Sequence, residues 1–91
     1  MQLGQDTLTL TNADTEYSYQ IPANCLSFSF KIRSGSYDLT YYFSQADAAT
    51  KYFTLSAGST QTFKGRLSPQ TIYFKCSNAG EIVEFETIRS V

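Results

Sequence analysis

Leu26-Ser27-Phe28-Ser29-Phe30-Lys31-Ile32-Arg33 carries a large apolar side chain at every second position. In an extended chain successive side chains point to opposite faces, so Leu26, Phe28, Phe30 and Ile32 share one side and Ser27, Ser29, Lys31 and Arg33 the other. One face meets a core and the other meets water. The next run, Tyr37-Asp38-Leu39-Thr40-Tyr41-Tyr42-Phe43, alternates in the same way, and Ser34-Gly35-Ser36 between the two is a hairpin turn signal. With Gly35-Ser36 as the turn, Ile32 lies opposite Leu39, Phe30 opposite Tyr41, Phe28 opposite Phe43 and Arg33 opposite Asp38. With Ser34-Gly35 as the turn, Lys31 pairs with Asp38 instead. Both registers match the apolar faces, so only turn chemistry separates them.

The same period of two runs through the rest of the chain. Ile72, Phe74 and Cys76 alternate with Thr71, Tyr73 and Lys75, and after Ser77-Asn78-Ala79-Gly80, Val83 and Phe85 alternate with Glu84 and Glu86. A hairpin there sets Phe74 opposite Val83, Ile72 opposite Phe85, Tyr73 beside Glu84 and Thr71 beside Glu86. Leu8 and Leu10 make a short strand, Asn12-Ala13-Asp14 turn the chain, and Tyr17, Tyr19 and Ile21 alternate up to Pro22. Phe53 and Leu55, then Ala57-Gly58-Ser59, then Thr60 to Phe63 suggest a third hairpin, while Gln45 to Thr50 form a loop or one helical turn. No window shows a sustained helical stripe. About eight short strands with regular turn signals predict an all-β, antiparallel β-sandwich or jelly-roll-like barrel, residues 1–91 forming a single domain. The core expected from parity is Phe28, Phe30, Ile32, Leu39, Tyr41, Phe43, Phe53, Leu55, Ile72, Phe74, Val83 and Phe85.

Composition narrows the function classes. Seven Tyr and seven Phe in 91 residues exclude a disordered chain. Seven basic side chains nearly balance eight acidic ones and are dispersed, leaving no clustered basic face for a phosphate backbone, so nucleic acid is not an expected partner. Met1 to Asp6 lack the basic and apolar regions of a signal peptide, and no apolar run approaches the ~20 residues of a membrane span. The expectation is a soluble chain that is not exported and has no membrane partner. The two cysteines, Cys25 and Cys76, are too few for a structural zinc site. They are able to bridge, but reduced, half-buried thiols are the expectation in a cytosol.

Catalytic chemistry is sparse. There is no His, so Ser-His-Asp and Cys-His arrangements cannot be assembled within one chain. Glu84 and Glu86, on one face of one strand, are the remaining pair for acid-base work, although a solvated strand face is the ordinary role of such residues. The five glycines stand alone near turns and form no phosphate-binding pattern. The expectation is no catalytic residue, no metal, no cofactor and no enzyme. The tyrosines invite a binding surface instead: Tyr42, Tyr52 and Tyr73 have the parity of an outer face, with Glu84 and Glu86 beside them. Such a surface serves a protein contact, a stack on sugar rings, or cross-strand pairing alone. Unprotected strand edges, with only Pro22 and Pro69 and few lysines to blunt them, add an expectation of homo-oligomerisation.

Taken in order, Ile21-Pro22-Ala23-Asn24, Ser27-Phe28-Ser29-Phe30 with Arg33-Ser34-Gly35, Tyr52 to Gly58, Ile72 to Cys76 and Ala79 to Glu84 form a string of strand and turn signatures. Over residues 20 to 88 it resembles small β-sandwich virion proteins of tailed bacteriophages. The resemblance implies a non-enzymatic particle component made in the host bacterial cytoplasm: a capsid decoration (cement) protein first, a tail or connector component second. It implies the major capsid protein or another virion protein as partner, and no catalytic or ligand residue comes with it. A carbohydrate-binding module for host attachment is the alternative that the outward tyrosines keep open.

Overall fold

The computed structural model describes residues 1–90 and is all-β. Eight strands follow one another: β1 (Gln2–Leu10), β2 (Tyr17–Ile21), β3 (Cys25–Ile32), β4 (Leu39–Tyr42), β5 (Phe53–Leu55), β6 (Gln61–Leu67), β7 (Gln70–Lys75) and β8 (Glu81–Arg89). A single 3-10 turn, Gln45–Asp47, lies between β4 and β5. The antiparallel pairs β1·β8, β2·β7, β3·β6 and β4·β5 nest inside one another, as in one long hairpin closed by the 43–52 loop. Two further pairings, β3·β8 and β4·β7, roll that ribbon into two facing sheets ordered β1-β8-β3-β6 and β2-β7-β4-β5. Of the two architectures expected from the sequence, this is a sandwich with jelly-roll connectivity.

The topology corrects all three predicted hairpins. β3 and β4 belong to different sheets, as do β5 and β6, and β7 and β8. Phe30 and Tyr41, expected side by side, instead meet edge to face across the core at 5.1 Å between ring centroids. Phe74 and Phe85 likewise face each other at 5.7 Å from opposite sheets. The physical reason is that parity says which side of a strand is apolar but not whether its apolar partner lies beside it or opposite it. Gly35, at φ +68°, does turn the chain after β3, but the turn carries it from one sheet to the other. There it packs on the Gly58 turn, also at positive φ, and a Cβ on Gly35 would stand 3.5 Å from the Gly58 Cα. Asp38 ties the two loops by accepting the Ala57 N–H at 2.7 Å.

The core holds ten of the twelve positions expected from parity, and Phe43 and Phe53 are exposed instead. It also takes in Leu10, Ile21, Cys25 and Cys76. Cys25 was hidden from a strict alternation because the register against both neighbours slips between Cys25 and Ser27, which resets the facing of β3. Cys25 sits opposite Arg89, whereas the Cys76 carbonyl accepts the Asp14 N–H near the Leu10–Glu81 pair, at the other end of β8. Eight strand residues separate those ends by roughly 25 Å, beyond the span of a disulfide. Both thiols are free and buried. A thiol-reactive dye should therefore label the two cysteines only when denaturant is added, and reductant should leave the melting temperature unchanged; rapid labelling of the native protein would contradict this burial.

Candidate functional site

The five residues singled out from the sequence do not form one surface. Tyr42 and Tyr73 lie on the outer face of the second sheet, with rings stacked at 5.6 Å and 13°. Glu84 and Glu86 belong to β8 in the first sheet, whose outer face points the opposite way. The expected contacts of Tyr73 with Glu84 and of Thr71 with Glu86 therefore do not exist. Arg33 binds Glu84, not Asp38, with Nε 2.8 Å from Oε2, and Lys31 adds a longer approach at 3.9 Å. Glu86 is exposed. Tyr52 is exposed just before β5.

Tyr42 is the clearest correction. Its parity is outward, as expected, yet its relative exposure is 0%. The loop after β1 supplies Glu16, and the 3-10 turn supplies Gln45, and together they close over the phenol. The Tyr42 hydroxyl donates to Glu16 Oε1 at 2.6 Å, and Gln45 Nε2 donates to Oε2 at 2.8 Å. These two donors hold the Glu16 carboxyl below the usual carboxylate range. Burial, then the hydrogen bond to Glu16 and that carboxylate's charge, push the Tyr42 hydroxyl well above that of an ordinary phenol. Tyr42 is thus a fastener between loop and sheet, and it has no free face for a partner.

Two surfaces stand out that strand alternation did not reveal. The first is aromatic and lies at the β5/β6 side, where the edge strands of the two sheets leave the sandwich open. Tyr41 stacks on Phe53 at 5.4 Å, and Phe63 meets Phe43 at 5.8 Å and Phe30 at 6.1 Å. A continuous run of rings therefore leads from the core to the surface, where Phe53 is 55% and Phe43 37% exposed. Both have inward parity. Parity marked them as core, but β5 has three residues and no strand beyond it, so nothing covers the inward side at that end. The sequence signal was present in the shortness of the Phe53–Leu55 run.

The second surface is a shallow trough of about 720 Å³ across the outer face of the first sheet, bordered by Gln5, Thr7, Ser29, Lys31, Thr62 and Glu86. Ser29 and Thr62 share a hydrogen bond at 3.0 Å across the β3·β6 pair. The trough offers hydroxyl, amide and ionic groups, but Tyr42, Tyr52 and Tyr73 are not among its lining residues, so it lacks the stacking platform a sugar site was expected to use. Among the described residues no group of three or more His, Cys, Asp or Glu is placed to hold a metal ion. No helix among them is long and apolar enough to cross a membrane. Comparison of the sequence with protein-family models and with curated proteins finds no match.

Proposed function

We propose that this protein is a non-enzymatic structural component of a tailed-bacteriophage virion, a capsid decoration protein that docks on a shell protein through its aromatic end. The exposed Phe43 and Phe53 rings, backed by the half-buried Phe63, carry the reading. Large aromatic side chains continuous with the core are rigid, so they lose little entropy on binding and behave as interface anchors. Lys51 and Lys64, both exposed, neighbour Tyr52 and Phe63 in sequence. The partner surface that fits is apolar. The jelly roll agrees with this role, since viral capsid proteins use it, but lectins and cupins use it too, so the argument rests on the site. Repeated copies on a shell supply avidity, which lets each contact be weak.

The test is co-sedimentation of the purified protein with empty phage heads lacking decoration protein. The wild type should pellet with the heads, and Phe53→Ser should reduce binding by tenfold or more, the order expected when an anchor worth about 2 kcal/mol is lost. Because Phe53 is largely exposed, that variant should keep its melting temperature within a few degrees. A protein that ignores the heads but binds a glycan would overturn the proposal in favour of host attachment through carbohydrate.

A further inference from the structure

One side chain takes up a main-chain donor in the middle of the long free edge of β1. β1 is nine residues long and lies at the border of the first sheet, with only β8 beside it. The alternation of its main-chain groups follows from the neighbouring pair. Arg33 N–H donates to the Ile82 carbonyl at 2.8 Å, so even-numbered residues of β8 aim their main chain at β3. Odd-numbered ones, Val83, Phe85 and Thr87, then aim at β1, where they stand opposite Leu8, Asp6 and Gly4. The Leu10 carbonyl, which accepts the Gly80 N–H, agrees with that parity. Leu3, Gln5, Thr7 and Thr9 are left to point their N–H and C=O groups at the open edge, which is a template for another strand.

Asp6 occupies that template. Its Oδ1 accepts the Thr7 N–H at 2.8 Å, in the place an incoming carbonyl would take. Its Oδ2 accepts the Tyr19 hydroxyl at 3.0 Å, and the Tyr19 ring is stacked on Phe85 at 4.0 Å, so the carboxylate is held in position from the second sheet. Asp6 is the one charged residue within β1. The strand that best matches this edge is β1 of a second copy, because two antiparallel copies related by a two-fold axis present the same alternate donors and acceptors to each other. With the axis at Asp6, the two carboxylates would face each other at a close cross-strand pair, which is repulsive. With the axis at Gln5, Asp6 would face Gly4 of the other copy and the charges would separate, but the Thr7 donor would still be taken.

We infer that Asp6 is a gate on the β1 edge, and that a second copy's β1 is the strand this edge accepts once the gate is removed. The sequence expectation of unprotected edges is thereby refined: the device is an inward-facing carboxylate, a recognised form of edge protection, in place of Pro or Lys. The inference stands apart from the aromatic end, and the experiment is run in the Phe53→Ser background to keep the two surfaces distinct. Sedimentation equilibrium should show a monomer for the parent and a doubled mass for Asp6→Ala, with exchange of the Leu3, Gln5 and Thr7 amides slowed in the dimer. Thr7→Pro, which deletes the edge donor without touching the β8 ladder, should fold normally and return Asp6→Ala to a monomer. A monomeric Asp6→Ala with unprotected edge amides would overturn the gate. So would an Asp6→Ala dimer that survives Thr7→Pro.

Discussion

Replacing Phe30 by Ala should destabilise the protein by about 3–5 kcal/mol, a large share of the ~5–15 kcal/mol available to a domain of this size. The ring is 1% exposed and lies where both sheets converge. It meets Tyr41 and Phe74 of the second sheet at 5.1 Å each, and Phe28 of its own strand at 5.9 Å. Truncation removes the contacts of one ring and leaves a cavity that neighbours on two separate sheets cannot fill by a common movement. The melting temperature should fall by roughly 15–30 °C, and the urea midpoint should drop with little change in slope. A Phe30→Ala protein that melts within a few degrees of the wild type would show that the sheets do not pack face to face through this ring. Phe53→Ala serves as the internal comparison, since a ring already more than half in water has little burial to lose.

The contrast between Phe30 and Phe53 also shows how far the sequence could be read. Strand identity and facing are local properties of alternation, and Phe28, Phe30, Ile32, Ile72, Phe74, Val83 and Phe85 all took the side their parity demanded. Strand partnership is not local. In the jelly roll, β1 pairs with β8 and β2 with β7, at opposite ends of the chain, and no turn motif encodes such pairs. The turn signals at Gly35 and Gly80 were genuine, with φ of +68° and +82°, but a reversal that crosses between sheets uses the same residue chemistry as one that stays within a sheet. The binding candidates suffered from the same gap. Tyr73 and Glu84 were placed together by an assumed hairpin and lie on opposite outer faces, while Phe43 and Phe53 are exposed because they lie near the open side of the sandwich. Asp6 was legible as a lone charge among polar and apolar neighbours, yet its meaning depends on β1 being an edge.

Replacing Tyr42 by Ala should cost about 3 kcal/mol or more, within the usual range for a buried aromatic, whereas Tyr42→Phe should cost about 1 kcal/mol. Alanine loses the stack on Tyr73 and opens the space beneath Glu16 and Gln45; phenylalanine keeps the ring and loses the hydroxyl that donates to Glu16. Glu16 is only partly buried and can turn to water, so the hydrogen-bond loss stays at the lower end. The two variants separate further with pH. The Glu16 carboxyl titrates lower in the folded state than in the unfolded chain, so the stability it adds is complete above its unfolded value near 4.5 and disappears as pH falls through the folded value. The Tyr42 hydroxyl titrates higher in the folded state, so its contribution is complete below its unfolded value near 10.0 and is lost as pH rises towards the folded one. The stability difference between wild type and Tyr42→Phe should therefore hold level from about pH 5 to about pH 10 and narrow on both sides. Urea titrations of both proteins across that span are the measurement. A difference that does not change below pH 4 or above pH 10 would mean that Tyr42 contributes through its ring alone, and that Glu16 is not fastened to it.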